Sequence, residues 1–368
     1  MLPIAMVTGA SIYLLYHVMP EPVHALGPFL NGFLSVLQPL LIFAMLFLTF
    51  CRIEPRDLRP HRWHWWLLLI QGGSFVALAF VILALDSWFP GDHHASNILI
   101  ESAMLCMICP TATAAAVVTR KLGGDVPGIT TYVVLINLLT AVLVPLIVPV
   151  IQPVSGMVFW DAFNLILAKV FPLLITPCLA AWLVRYMFPK LHKLLIKSPD
   201  LPFYIWAVAL TLAIAVTTKA IVHSALSVTL LLLMSLVSLI CCAVQFSLGR
   251  YVGAHYRAHR SPARHRLHQQ YNATQQIPAT KNSNSSVQLP PSSNYTDTDS
   301  ELATLLVLEA KAREARKVTA GQSLGQKNTV FAIWLAYTFM TPETAIIGGL
   351  YSIWHNIYNS WQLRQAGK

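Results

Sequence analysis

Charge is what this sequence has least of. Only 11% of its 368 residues are Asp, Glu, Lys or Arg, against about 25% in an ordinary soluble domain. That shortfall excludes a water-soluble enzyme of this size. A membrane enzyme is not expected either, because no nucleophile–base pair and no metal-ligand cluster falls at one depth along the chain. Cysteines are few and badly placed for an extracellular disulfide framework: Cys51, Cys106, Cys109, Cys178, Cys241 and Cys242 all lie in or beside apolar runs. Cys106 and Cys109 spell CxxC, but two small residues at i, i+3 on a membrane helix read as packing positions before they read as a redox pair. No basic stretch precedes the first apolar run, so a cleaved signal peptide is not expected.

What is present instead is apolar length. Residues of apolar type make up 56% of the chain, and runs of about 20 are what it takes to cross about 30 Å of hydrocarbon. Ten such spans follow one another, at about 4–19, 27–50, 63–85, 97–119, 127–150, 161–187, 202–222 and 225–250, then a ninth from near Gly321 and a tenth that closes the chain. HRWHWW opens the third, with Trp63, Trp65 and Trp66 as expected interfacial anchors. The fold expected is therefore an all-α membrane protein, one transmembrane domain over residues 1–368.

Basic residues test the count. With a cytoplasmic amino terminus, the inner loops are 51–62, 120–126, 185–200 and 250–318 plus the tail, and these hold 22 of the 25 Lys and Arg. The outer loops at 20–26, 86–96, 151–160 and 341–345 hold none, as the positive-inside rule asks. The net charge of +10 is thus an orientation signal, and nucleic acid is not needed to explain it. Only Lys169, Lys219 and Lys327 fall outside those loops.

Ten spans divide into two five-helix halves, and an odd number inverts the second half relative to the first. Spans four and nine then correspond, and these are the two that are polar and interrupted. Span four breaks at Pro110-Thr111-Ala112-Thr113, where proline removes a backbone donor and frees carbonyls. Span nine opens on TAGQSLGQKNT, residues 319–329, which gathers Gln322, Ser323, Gln326, Lys327, Asn328 and Thr329 around two glycines. Polar groups at membrane depth are costly unless they face a cavity or partners, about 2.5–3.5 kcal/mol per charge. A matched pair of broken helices in inverted halves points to the binding site of a secondary transporter. The plainer alternative for span four is a proline kink with Thr111 and Thr113 bonded to their own backbone.

Three stretches, CPTATAAAVVTRKLGGD (109–125), GQSLGQKN (321–328) and GGLYSIWHN (348–356), resemble the bile acid:sodium symporter family. There the corresponding motifs read PGGTxSNxxTxLxxGD, ExGxQN and YSxWHN. The resemblance covers essentially all of the membrane part. It implies a panel domain of spans one, two, six and seven, a core domain of spans three to five and eight to ten, and two broken helices crossing inside the core. It also implies a small organic anion as cargo, a bile acid or another carboxylate or sulfonate, moved usually with sodium. A bacterial inner (plasma) membrane with both termini cytoplasmic is the expected setting; the oligomeric state is left open.

The departures from those motifs bear on the ion. The family's serine–asparagine pair falls on Ala115 and Ala116, its glutamate on Ser323 and its glutamine on Lys327, while Gly325 and Asn328 match. The fifth-span hydroxyls fall near Ile129 and Val133, with Thr130 and Thr131 one place off. Gln71 alone is in place to keep a sodium-ligand role. One carboxylate with a pair of sodium ions leaves one net positive charge, and Lys327 with neither leaves the same. Lys327 is therefore expected to stand in for the cation. If it gives up its proton on one face, transport is proton-linked; if it stays charged, uniport or exchange follows. The opposite expectation is a lysine that snorkels to the cytoplasmic surface. The substrate- and ion-binding set expected is Gln71, Thr111, Thr113, Gln322, Ser323, Gln326, Lys327, Asn328 and Thr329, with no cofactor and with sodium or proton open as coupling ion. Sodium coupling through a rearranged site, and a sensor or scaffold without transport, stay open as alternatives.

Other residues read as structural. Glu101 is expected at the outer interface of span four, with a gating or proton role as the alternative. Asp125 is expected to cap span five beside Pro127. His255, His259, His265 and His268 lie in a basic, low-complexity stretch without acidic or cysteine partners, which argues against zinc. The insertion 255–317 is expected to be cytoplasmic. Its residues 269–300 are rich in Asn, Ser, Thr, Gln and Pro and expected to be disordered. The asparagines of its N-x-S/T matches, Asn272, Asn284 and Asn294, then carry little weight. ELATLLVLEAKAREARK (301–317) is expected as an amphipathic helix on the inner leaflet.

Overall fold

A computed structural model describes residues 2–19, 26–88, 93–153, 156–197, 201–256 and 293–366. The described residues form thirteen α-helices and no strand element. These are α1 (Leu2–Val18), α2 (Gly27–Phe50), α3 (Arg62–Trp88), α4 (His94–Ile108), α5 (Ala114–Lys121), α6 (Val126–Ile151) and α7 (Phe159–Met187). After them come α8 (Pro189–Ile196), α9 (Leu201–His223), α10 (Val228–His255), α11 (Ser293–Gly325), α12 (Thr329–Phe339) and α13 (Pro342–Ala366). A helix pairs its own backbone groups, which hydrocarbon will not do for it. By length and composition, α2, α3, α6, α7, α10 and Tyr204–His223 of α9 can each cross a bilayer. The apolar helices α4 and α12 and the apolar stretch Ile4–Val18 of α1 are shorter than these.

Local chemistry sets the ends. Pro28 and Pro127 sit in the first turns of α2 and α6, where a missing N–H costs nothing. Cys109, held in an extended conformation ahead of Pro110, stops α4. Asn328 caps α12, its Oδ1 accepting from the Phe331 amide at 3.3 Å.

The ninth span departs from expectation. It does not begin near Gly321; α11 runs unbroken through that residue, and the interruption falls at 326–328. The stretch 301–317 lies within α11 and is not a separate helix, and α11 begins at Ser293, inside the stretch 269–300 that was expected to be disordered. Close packing on α10 sustains it. A β-carbon on Gly249 would come within 2.3 Å of the Ala320 carbonyl, and one on Gly253 within 2.6 Å of the Arg316 carbonyl. This is a small-xxx-small contact that brings two backbones together. Arg313 Nε also donates to the Ala254 carbonyl at 2.9 Å, and Arg250 pairs with Glu314 at 3.7 Å. Of the other insertion residues, His259, His265, His268, Asn272 and Asn284 lie outside the described residues.

Helix ends gather on two sides. On one, Arg185 reaches Glu54 at 2.7 Å and the Ile53 carbonyl at 2.8 Å. His192 of α8, a helix inside what was expected as a plain loop, meets the Cys51 carbonyl at 2.7 Å. The Asp125 amide donates to Thr319 Oγ1 at 2.7 Å. Asp125 does occupy the cap position of α6, but its side chain makes no capping hydrogen bond. On the other side, buried Glu101 accepts from Gln152 Nε2 at 2.6 Å and Thr344 Oγ1 at 3.0 Å. It ties α4 to the end of α6 and the start of α13, so it is not the exposed interfacial residue expected. Trp63 is also buried, packed on His64, whereas Trp65 and Trp66 are exposed. The anchor role is open only to the latter two.

Packing sorts the helices. α1 lies along α9, and α2 lies against α7 and α9. α10 packs on α11, α4 and α13, and α12 packs on α13.

Candidate functional site

The two interruptions meet. Thr111 and Lys327 form an antiparallel bridge. Around it the Ala112 amide donates to the Gln326 carbonyl at 2.9 Å and the Asn328 amide to the Pro110 carbonyl at 2.8 Å. Two unwound segments, 216 residues apart in sequence, thus pair as a short ribbon between four helix ends. Thr111 Oγ1 donates to the Ser323 carbonyl at 2.6 Å, across to the other broken span and not back to its own.

The carbonyls freed where α4 stops are all taken. Those of residues 105 to 110 accept in turn from the Cys109 amide, Gln245 Nε2, Lys327 Nζ, Gln71 Nε2 with Thr140 Oγ1, Gln71 Nε2 again, and the Asn328 amide. An orphan in hydrocarbon would cost several kcal/mol. Gln71 acts here as a donor at 2.9 Å to the Cys109 carbonyl, while its Oε1 accepts from Tyr132 at 2.8 Å.

Lys327 does not snorkel. The residue is 1% exposed, and its ammonium donates to the Met107 carbonyl at 3.2 Å in the last turn of α4. It shares with Cys106, Cys109 and Tyr351 a cavity of about 10 Å³, at the lower limit for a single water. Cys109 Sγ donates to the Asn328 carbonyl at 3.0 Å. All six cysteines are free and buried.

The expected site residues divide into groups. Gln71, Thr111, Ser323, Gln326, Lys327 and Asn328 converge on the crossing, and Thr113 and Thr329 stand buried at the starts of the second halves. Gln322 faces elsewhere, donating to Asn359 at 3.0 Å and Gln362 at 2.8 Å on α13. Ser323 Oγ, Gln326 Oε1 and Gln322 Oε1 are buried without a partner. Thr130 and Thr131 bond back to their own helix, at Val126 and Pro127. His255 Nδ1 meets the Tyr251 carbonyl at 2.9 Å.

One feature was missed. A cavity of about 860 Å³ opens between α2, α7, α9 and α12, and Lys169 and Lys219 both line it, beside Asn31, Trp334 and Tyr337. The signal was present in the loop count, which left these two lysines without a place. Their shared cavity was not visible, because they sit on different helices fifty residues apart.

Comparison with curated proteins gives no match. Residues 5–363 match the sequence model of the SBF-like CPA transporter family. A chain whose described residues form helices and no strand, six of them fit to cross a bilayer, and which that match covers almost end to end, is an integral membrane protein and belongs to the SBF-like CPA transporter family.

Proposed function

We propose that the protein is a secondary transporter that moves a small organic anion by alternating access, with Lys327 as a fixed positive charge in place of a bound sodium ion. The observation that carries this reading is the buried Lys327 ammonium on the C-terminal turn of α4. A helix C-terminus carries about half a negative charge and favours a cation. In transporters with broken helices, such ends and their unwound carbonyls hold the coupling ion. Here an ammonium occupies that place, and each carbonyl of residues 105 to 110 already accepts from a protein donor, which weakens it as a ligand for sodium. Buried charge also favours an anionic cargo: Glu101 is the one buried carboxylate among the described residues, and two donors hold it at the far end of α4.

In this reading the spans are α1, α2, α3, α4 with α5, α6, α7, α9, α10, α11 with α12, and α13, in two inverted halves. The packing of α2 on α7 and α9, and of α1 on α9, supports a panel, against which a core built around the crossing moves. The basic loops joined by Arg185, His192 and the Asp125–Thr319 contact favour one cytoplasmic side with both termini on it. Sodium coupling through a rearranged site is the second reading, favoured by the unpartnered oxygens of Ser323 and Gln326 at the crossing.

Uptake of a radiolabelled carboxylate and bile-acid panel into proteoliposomes tests this. It is run with sodium, with choline and with an imposed pH gradient, for the natural protein and Lys327→Gln. Sodium-independent uptake that the substitution abolishes is the expected result, and the pH arm reports whether a proton travels. Uptake that requires sodium and ignores the substitution overturns the reading in favour of the second.

A further inference from the structure

We propose that the cavity between α2, α7, α9 and α12 is the substrate site, and that its ligand is an organic dianion with a flat apolar body. This rests on the reading of the protein as an anion transporter, and adds to it the place and the chemical class of the cargo.

Two ammonium groups line the cavity, and neither has a carboxylate for a partner. Lys219 Nζ donates to Asn31 Oδ1 at 2.7 Å, and Lys169 Nζ lies 5.6 Å from the centre of the Phe339 ring. The ion pairs formed among the described residues, Arg185–Glu54, Arg250–Glu314 and Lys317–Glu314, are all elsewhere. An ammonium carries three donors, so each lysine keeps N–H groups for a ligand after its present contact. Nor is Lys169 placed to reach water along its own helix. It sits ten residues into α7, about 15 Å from that end and further than a lysine side chain extends.

The rest of the wall suits an apolar body. Phe43, Trp334 and Tyr337 face the space with several aliphatic neighbours, and about 860 Å³ is within the range of sites that enclose drug-sized ligands. Between these two ammonium groups, one anionic group leaves the second uncompensated; two anionic groups neutralise both. Position supports transport of what binds there. Trp334 and Tyr337 belong to α12, the half-helix that begins at the crossing two residues after Lys327. A ligand held between them and the lysines of α7 and α9 therefore touches both groups of helices that alternating access moves apart.

The test is equilibrium binding to the full chain in lipid nanodiscs, by titration calorimetry, with three probes: naphthalene-2,6-dicarboxylate, 2-naphthoate and 2-naphthamide. The natural protein should bind the dianion roughly tenfold tighter than the monoanion, since a second close charge pair adds its own coupling, and the amide weakest. Lys169→Gln and Lys219→Gln should each remove the preference for the dianion, while Lys169→Arg and Lys219→Arg keep it. Unchanged thermal unfolding of the glutamine variants shows that a lost preference is not a lost fold. Equal binding of dianion and monoanion, a preference that survives both glutamine substitutions, or no binding of any probe overturns the proposal. Dianion binding that follows the lysines without any proteoliposome uptake leaves the site standing and removes the transport reading instead.

Discussion

Replacing Lys327 by methionine separates a functional charge from a structural one. The two side chains are similar in length, and the ammonium now sits in a space of about 10 Å³ with Met107 as its one hydrogen-bond acceptor. Removing a charge from membrane depth recovers about 2.5–3.5 kcal/mol. Losing one charge-assisted hydrogen bond, with the Met107 carbonyl left bare, costs about 1.5–3 kcal/mol. The two nearly cancel, so Lys327→Met should fall between about 0.5 kcal/mol destabilising and about 2 kcal/mol stabilising. For a chain of this size that is a shift in Tm of at most about 4 °C, mostly upward. Uptake should nevertheless fall at least tenfold, because the last turn of α4 no longer faces a cation. Thermal unfolding in detergent and proteoliposome uptake, on one preparation, measure both. A fall in Tm beyond about 5 °C would show that the ammonium clamps the crossing together. Uptake unchanged in choline would show that its charge plays no part in transport. Either result refutes the reasoning.

Further outcomes follow from other contacts. Glu101→Ala strands Gln152 Nε2 and leaves Thr344 Oγ1 only its contact with Thr341 Oγ1, and should cost about 1–3 kcal/mol, with Glu101→Gln costing less; thermal unfolding of the pair decides it. Gly249→Val forces α10 from α11, where a β-carbon would already lie 2.3 Å from a carbonyl, and should cost about 1–3 kcal/mol. Gln71→Leu removes the donor to the Cys109 carbonyl and the acceptor of Tyr132. It should lower stability by about 2–4 kcal/mol, read by the same unfolding assay. The six buried cysteines should resist a maleimide in the folded protein and react once it is unfolded in dodecyl sulfate; fast labelling of Cys106 or Cys109 in the native state contradicts the closed crossing.

The site was legible as a set of residue types and not as a set of contacts. Polar side chains at membrane depth mark themselves, and Pro110 marks its break, because proline acts on its own backbone. That made Thr111, Lys327 and Asn328 visible as candidates. Which groups each would bond was not readable, since Thr111 answers to Ser323 and Lys327 to Met107, partners more than two hundred residues away. The glycines around residue 321 read as the break, yet Gly321 lies inside a helix held by its neighbour α10. Packing overrode a local preference there.

What the amino-acid order settled alone was the set of apolar helices, from α2 at Gly27–Phe50 to α10 at Val228–His255. Hydrocarbon screens each stretch of some twenty residues by its own composition, and that test needs no other part of the chain. Tertiary structure alone decided that Glu101 and Trp63 are buried, that the second of the two breaks falls after Gly325, and that Lys169 and Lys219 share one cavity. Each of these depends on which helix lies beside which. That is set by close backbone approach and paired polar groups between distant segments, and neither leaves a periodic trace along the sequence.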